Sequence, residues 1–281
     1  MPTGFGEFLR EVGPVLGLQW RPFRRKGIRR KVERRITQVG ASTFEEYLLK
    51  IKKDPEEQRH LSQILTVTIS RFFRDKAVFH TIRHSVIPNL LREINQGELK
   101  IWSIGCASGE EPYSFSILWR DKFERSWPQI HLSIVGTDID EKLLERAREG
   151  RYKKSSLKEV AEETLRNFIK IENRVYILDQ IVRESVEFRR HDILHEEPFL
   201  GMDIVFCRNL AFTYFSKESQ IDVLKKIAAS LRGKGYLVIG KDELLPLMYP
   251  SLFVPAFPTE KIYQKFTHKN ALSKIKSTPS P

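Results

Sequence analysis

A strand, a turn of small residues and a helix follow one another at Ile101–Glu111, and this stretch constrains the fold more than any other. The residues before the turn are mostly apolar, as in a buried strand, and the turn contains Gly105 and Gly109. A second strand ends in an acidic residue, Asp138, within VGTDID. Small residues let the backbone approach a ligand, and an acid at the end of the second strand can hold a ribose diol. The pattern predicts a nucleotide-binding βαβ unit.

This unit differs from the dinucleotide-binding fingerprint. Asp138 lies 29 residues beyond Gly109, whereas the fingerprint places its acid about 20 residues further on. The glycines also do not follow the spacing GxGxxG. Because a glycine-rich turn also occurs in ordinary strand–helix connections, the interpretation depends on the second acid.

The remainder of the chain predicts an α/β fold. Strands alternate with helices, which implies a parallel sheet with right-handed crossovers. An antiparallel pair closes the pattern, so we expect the doubly wound seven-stranded sheet of class I methyltransferases rather than the dehydrogenase sheet. The predicted strands are 99–104, 131–137, 185–190, 203–207, 235–240 and the terminal pair 252–254 and 261–266.

The domain organisation follows from the same patterns. Apolar spacing before the sheet predicts a small all-α N-terminal domain, in which Ile28, Val32 and Ile36 form one stripe. A Ser/Pro/Lys tail without a core pattern is expected to be disordered. The predicted divisions are a helical domain at 1–67, a linker and connecting helix at 68–98, the α/β domain at 99–268 with a small excursion at 169–184, and the tail at 269–281.

The net charge of +12 is concentrated in Arg21–Arg35, which is mostly Lys and Arg with a single Glu. Such a patch attracts an acidic partner, namely nucleic acid, an anionic membrane or an acidic protein surface. A solvated helix face explains the same charge. Nucleic acid is disfavoured because the aromatic residues Trp20 and Phe23 precede the basic helix Arg24–Arg35 instead of interleaving with its charges.

The expected compartment is the cytoplasm. No apolar run approaches the roughly 20 residues that cross a bilayer, and the N-terminus carries acids where a signal peptide is apolar. Cys106 and Cys207 each end an apolar run, as small buried thiols of a reducing compartment do. His80 and His84 have i,i+4 spacing but no supporting ligand cluster, so we expect no metal site. We also expect no membrane insertion and a monomer.

Several motifs together resemble one family. The sequences TISRFFRD, GCASGEEPYS, GTDID, ERAREGRY and VFCRN occur in the same order in chemotaxis-receptor methyltransferases of the CheR type. The resemblance spans roughly residues 12–245. It implies an enzyme that uses S-adenosyl-L-methionine to methylate a glutamate carboxylate on a receptor. It also implies that the basic helix docks on an acidic helical bundle.

The resemblance further implies site residues. The cofactor contacts fall on Thr68, Ser70, Arg74, Glu111, Asp138, Asp192, Ile193, Arg208 and Asn209. Arg74 and Tyr214 are the catalytic candidates. The basic charge of the second helix makes Arg24, Arg25, Arg29 and Arg30 the docking candidates for the acceptor, and Lys241 joins them as a departure from the family pattern. We nominate no general base, because a carboxylate nucleophile carries no proton to remove.

Three of these residue types allow more than one role. Glu111 could accept from the amino group of the cofactor, or complement the dipole of the helix that it opens. Asp192 could accept from the adenine amine, or serve as a turn acid. Arg74 suits either the methionine carboxylate or the carboxylate of the acceptor, because a guanidinium fork pairs with both.

Three departures from the family pattern leave the acceptor open. Thr68 stands where the family usually has Asn, and CRNLAFTYF carries one extra residue. The family's GHSE is GKDE here, so Lys241 introduces a fixed charge beside the predicted pocket, unless it points to solvent. The alternatives are therefore the same enzyme acting on a small carboxylic acid or another protein, an RNA methyltransferase, and a cofactor-binding regulator without catalysis.

Overall fold

The computed structural model describes residues 4–19, 26–65, 70–94 and 96–267. Two compact units make up the chain, one comprising residues 1–68 and 209–223 and the other residues 69–208 and 224–281. Arg24, Arg25, Thr68 and the predicted tail at 269–281 lie outside the described residues. The two units are taken in turn.

The first unit is helical. Its helices are α1 (Phe5–Val15), α2 (Lys26–Gln38), α3 (Phe44–Lys53), α4 (Pro55–Leu65) and the short α11 (Ala211–Tyr214). The predicted stripe of Ile28, Val32 and Ile36 is buried on one face of α2. Apolar residues at four-residue spacing share one side of a helix, so the remaining positions of α2 carry its charges.

Side-chain caps fix where two of these helices begin. Thr43 Oγ1 accepts the N–H of Glu46 at 3.2 Å, and the Glu46 carboxylate accepts the N–H of Ser42 at 2.7 Å. Asp54 Oδ1 accepts the N–H groups of Glu56 and Glu57 at 3.0 and 3.2 Å. These contacts satisfy donors that have no partner within the helix, which is why α3 and α4 begin directly after Thr43 and Asp54.

A buried carboxylate joins three helices of this unit. Glu57, 3% exposed, accepts Arg35 Nε at 2.9 Å, Arg35 Nη2 at 2.5 Å and the Tyr47 hydroxyl at 2.6 Å. Burial alone would raise the pKa of Glu57, but the hydrogen bonds from Arg35 and Tyr47 outweigh it and lower that pKa. The triad therefore links α2 to α3 and α4 through an ionised acid.

The second unit has an α/β fold. Its first helices are α5 (Lys76–Thr81) and α6 (Ile87–Glu93), joined by a π-helical turn at Ile82–Val86. The further helices are α7 (Glu110–Lys122), α8 (Glu141–Glu149), α9 (Glu162–Phe168), α10 (Gln180–Arg183) and α12 (Lys217–Ser230), which begins in the helical unit. The strands are β1 (Gly97–Ile104), β2 (Ile130–Asp138), β3 (Arg151–Tyr152), β4 (Ile169–Glu172), β5 (Val175–Leu178), β6 (Val186–Arg190), β7 (Met202–Cys207), β8 (Leu231–Ile239), β9 (Phe253–Phe257) and β10 (Ile262–Lys265).

Seven of the strands form one sheet, in the order β6-β2-β1-β7-β8-β10-β9. The first five are parallel, and β10 runs antiparallel to both β8 and β9. This is the sheet that the sequence predicts, including its reversed terminal hairpin. Parallel neighbours end at one edge, so the loops after β1, β2, β6, β7 and β8 meet there.

The excursion predicted at 169–184 forms part of a second, three-stranded sheet in the order β3-β5-β4. The hairpin of β4 and β5 lies within the predicted range, while β3 pairs with β5 from before it. Two residues are too few to show strand periodicity, so the sequence did not indicate β3. Among the described residues, no helix is both long enough and apolar enough to cross a membrane.

Candidate active site

The turn after β1 has a backbone that few side chains tolerate. Gly105, Ala107 and Gly109 have φ values of 67°, 51° and 84°. A Cβ on Gly109 would lie 2.9 Å from both Ala147 Cβ and Phe188 Cζ, so this position also excludes a side chain by packing. The N–H of Cys106 donates to the Thr137 carbonyl at 2.9 Å. The turn is thereby tied to the end of β2.

Asp138 ends β2 with its carboxylate held from two sides. Oδ2 accepts the N–H of Ala107 at 3.0 Å, and Oδ1 accepts the N–H of Asp140 at 3.0 Å. Burial raises the pKa of Asp138, and these backbone hydrogen bonds oppose that rise. A carboxylate oxygen accepts about two hydrogen bonds. The backbone N–H of Ile139 also lowers the pKa of this carboxylate, so the two oxygens keep part of their accepting capacity for the hydroxyls of a ribose diol.

Glu111 lies in the first turn of α7 and is also doubly engaged. Oε1 accepts the Ser103 hydroxyl at 2.8 Å, and Oε2 accepts Arg208 Nη1 at 3.0 Å. The same spare capacity on both oxygens suits a ligand amine. Its place in the first turn also complements the helix dipole. The two interpretations are compatible with one geometry.

Arg208 follows β7 and connects Glu111 to a second segment of the site. Its side chain is 3% exposed and pairs with the carboxylates of both Asp75 and Glu111. Nη2 also donates to the Arg74 carbonyl at 3.1 Å. The guanidinium therefore holds together α7, which follows the turn, and the segment that carries Arg74.

The Arg74 segment, residues 70–75, is fixed by hydrogen bonds along its main chain. The N–H of Phe72 donates to the Ser156 carbonyl at 3.0 Å, and the N–H of Phe73 donates to Ser114 Oγ at 2.8 Å. Phe73 and Asp75 have φ values of 52° and 62°. Such conformations cost of order 1–3 kcal/mol each and persist where neighbours hold them. Phe72 is fully buried, as expected for a core residue.

Glu110 is a site-adjacent acid that the sequence analysis did not single out. It is 5% exposed, its Oε1 lies 3.4 Å from Ser156 Oγ, and its side chain also hydrogen-bonds Ser70. Burial raises the pKa of Glu110. The sequence shows only that Glu110 and Glu111 are adjacent acids. Adjacent helical residues point about 100° apart, so the two side chains face different surroundings.

We expect Glu110→Gln to flatten the pH dependence of stability. A carboxyl group whose pKa is raised by folding binds its proton more tightly in the folded state. Its contribution therefore declines as pH rises from its ordinary value of 4.5 through the higher folded value. Thermal unfolding should show the variant gaining stability relative to the wild type from pH 5 to pH 8. Glu124→Gln, at an exposed pair with Arg120, should show no such gain, and equal pH profiles for Glu110→Gln and wild type would contradict the assignment.

Asp192 is engaged within its own turn. It accepts the N–H of Leu194 at 3.0 Å and contacts His195 Nδ1 at 2.8 Å. Ile193 is 4% exposed, and Lys226 Nζ donates to the carbonyls of Ile193, Leu194 and Glu196 at 2.8–3.0 Å. The role as a turn acid is therefore observed, and the adenine contact stays a prediction.

The other predicted residues are more scattered. Asn209, with φ 57°, and Tyr214, at the end of α11, belong to the helical unit. Arg29 and Arg30 are exposed on α2. Lys241 is exposed in a turn closed by Glu243, whose carboxylate accepts the Gly240 N–H at 2.6 Å. Because Lys241 is exposed, its position is compatible with contact to an acceptor and also with a purely solvated surface residue.

A parallel sheet with this turn and two carboxylates at its edge defines a nucleotide-binding enzyme of the class I methyltransferase type. The family described as "CheR methyltransferase, SAM binding domain" matches residues 68–260. The chain belongs to this CheR methyltransferase family. It is an S-adenosyl-L-methionine-dependent methyltransferase, as the sequence predicts.

Named relatives match most of the chain. A "Chemotaxis protein methyltransferase" of Listeria innocua is 34% identical over 84% of this chain and 88% of its own length. The protein of the same name in Listeria monocytogenes is 32% identical over 84% of this chain and 88% of its own length. "Chemotaxis protein methyltransferase 1" of Pseudomonas aeruginosa is 30% identical over 76% of this chain and 80% of its own length.

The donors and acceptors of the site fit the cofactor. S-adenosyl-L-methionine presents a ribose diol and an ammonium group, both hydrogen-bond donors. Asp138 and Glu111 are acceptor-only groups when ionised, and their protein donors leave part of their accepting capacity unused. These two residues would hold the cofactor by its hydroxyl and amino groups.

Proposed function

We propose that the protein transfers the methyl group of S-adenosyl-L-methionine to a glutamate side chain of an acceptor protein, with a chemoreceptor as the principal candidate. The observation that carries the proposal is the Arg74 segment. Its backbone is fixed beside Ser114 and Ser156, and Arg208 joins it to Glu111. Arg74 is partly exposed, and a guanidinium on such a segment suits a carboxylate partner. The names of the relatives support the chemoreceptor as that partner.

The chemistry requires orientation more than proton transfer. The cofactor supplies a methyl group on a positively charged sulfur. A glutamate has an ordinary pKa near 4.3 and is already ionised at neutral pH, so no residue of the chain must deprotonate it. Arg74 would orient the incoming carboxylate. Alignment and exclusion of water account for most of the rate in such reactions.

The basic face of α2 is the proposed docking surface for the acceptor. Arg29, Arg30 and Arg34 are exposed, while Val32 is fully buried on the opposite face. The face therefore presents cations without disturbing the core of the helical unit. An acidic helical surface complements it and would approach faster for that reason.

Charge reversal on α2 should weaken acceptor docking alone. We expect Arg29→Glu/Arg30→Glu to raise KM for a protein acceptor about 30-fold, on the basis of about 1 kcal/mol for lost exposed pairing and a similar amount for the new repulsion. The effect should shrink with added salt, since the Debye length is about 10 Å at 0.1 M. Affinity for S-adenosylhomocysteine should stay unchanged.

Lys142→Glu/Arg146→Glu is the matched control, because both residues are exposed on a different helix, α8. It should leave KM within about twofold of wild type. An equal rise in KM for both double variants would mean that net charge, and not the α2 face, attracts the acceptor.

The class of acceptor is tested with methyl-labelled S-adenosyl-L-methionine and a cell extract that contains membranes. We expect label in a fraction that protease releases and nuclease does not. Label released by nuclease would support the RNA alternative, and label only in small soluble products would support a small acid. Binding of S-adenosylhomocysteine with no labelled product would support the non-catalytic regulator.

A further inference from the structure

The side chain of Arg208 makes its hydrogen bonds within the protein, to two acids and one carbonyl. It is 3% exposed, and Nη1 donates to Glu111 Oε2 at 3.0 Å. Nη2 donates to the Arg74 carbonyl at 3.1 Å and to the Asp75 carboxylate. Nε is buried and has no acceptor among the described residues. A guanidinium has five N–H donors in a rigid fork, and three of them are directed at protein acceptors on two separate segments.

We infer that Arg208 is a positioning residue, which acts on the cofactor through Glu111 and on the acceptor through the Arg74 segment. The resemblance implied that Arg208 contacts the cofactor. The geometry instead assigns its side chain to two carboxylates on separate segments. This inference rests on the proposed role of Glu111 as a cofactor contact.

The positioning role of Arg208 follows from the charges of the two acids that it contacts. One cation lies between Asp75 and Glu111, which would otherwise repel each other as two partly buried anions. Asp75 is also left-handed, with φ 62°, so its conformation depends on contacts that hold it. Arg208 therefore fixes the separation between Glu111 and Arg74, the residue next to Asp75.

Calorimetry with S-adenosylhomocysteine tests this inference through a double-mutant cycle. We expect Arg208→Met to weaken binding about tenfold, because Glu111 would lose the partner that orients it. The double variant Arg208→Met/Glu111→Gln should bind within about twofold of Glu111→Gln alone, because one residue acts through the other. Arg208→Lys keeps the charge but cannot bridge both acids, so it should give an intermediate affinity.

Two results would overturn the inference. Additive losses in the double variant would mean that Arg208 contacts the cofactor directly. Unchanged binding by Arg208→Met would mean that it only stabilises the fold, whether or not Glu111→Gln loses affinity. If Arg208→Met does not fold, Arg208→Lys and its double variant with Glu111→Gln complete the same cycle.

Arg232→Met is the matched control. Arg232 pairs with the buried Asp203 at 3.3 Å, at the beginning of β7, whereas Arg208 follows the end of the same strand. We expect Arg232→Met to lower the melting temperature without changing the affinity. The cycle needs no acceptor, so its failure is separate from a failure of the proposed glutamate chemistry, which only the identity of the methylated product decides.

Discussion

Glu57→Ala should lower the free energy of unfolding of the helical unit by about 3 kcal/mol, the largest loss of stability that we predict for any variant. Removing one partner of a buried pair leaves the other without compensation, which typically costs 3–5 kcal/mol. We expect the lower end because the side chain of Arg35 remains 24% exposed. Denaturant unfolding, monitored by circular dichroism, measures the loss.

Glu33→Ala is the matched control for this prediction. Glu33 pairs with Arg29 on the surface of α2, where 57% of the arginine side chain is exposed. Such a pair contributes about 0.5 kcal/mol or less. The two losses should therefore differ clearly, and equal losses would show that Glu57 is no more important than a surface acid.

The pH dependence of Glu57 has the opposite sign to that of Glu110. Folding lowers the pKa of Glu57 below its ordinary 4.5, so its contribution to stability is present above pH 4.5. It is lost as the pH falls through the lower folded value. Unfolding curves below pH 4.5 should accordingly lose the difference between the wild type and Glu57→Ala.

Asp138→Ala should weaken the binding of S-adenosylhomocysteine by roughly 1–3 kcal/mol, because ligand hydroxyls would lose their acceptor. That range corresponds to about 5- to 150-fold in affinity. The N–H groups of Ala107 and Asp140 would lose their acceptor at the same time, so the turn itself would loosen. Calorimetry on the folded variant measures the effect.

Asp203→Asn serves as the control for Asp138→Ala. Like Asp138, Asp203 is an acid on a parallel strand, and it is 3% exposed. It lies near the beginning of its strand, however, whereas Asp138 lies at the end of β2. It accepts the Lys100 N–H at 2.8 Å, so its replacement should affect stability and not affinity. Unchanged affinity in a folded Asp138→Ala variant would remove Asp138 from the cofactor site.

Local patterns predicted most of the sheet. The run from β1 through the small-residue turn to α7 is continuous in the sequence, and so is the end of β2 at Asp138. Each of these depends on periodicity or on a positive φ, which neighbouring residues determine. The stripe of Ile28, Val32 and Ile36 was predictable for the same reason.

The contacts between distant residues were not predictable in this way. Arg208 and Asp75 are separated by 133 positions, and no local pattern shows that they meet. Glu110 and Glu111 are adjacent acids at the start of one helix, yet only the packing of Ser156 distinguishes the buried acid from the one that faces Arg208. Sequence could therefore nominate Arg208, while its role depended on tertiary structure.

Release of methanol tests the central claim most directly. Protein labelled with methyl-labelled S-adenosyl-L-methionine is treated with mild alkali, and volatile label is collected. A glutamate methyl ester hydrolyses under these conditions, so we predict that most of the label leaves as methanol. Label that stays on the protein after alkali would show an N-methyl or similar product, and it would contradict methyl transfer to a carboxylate.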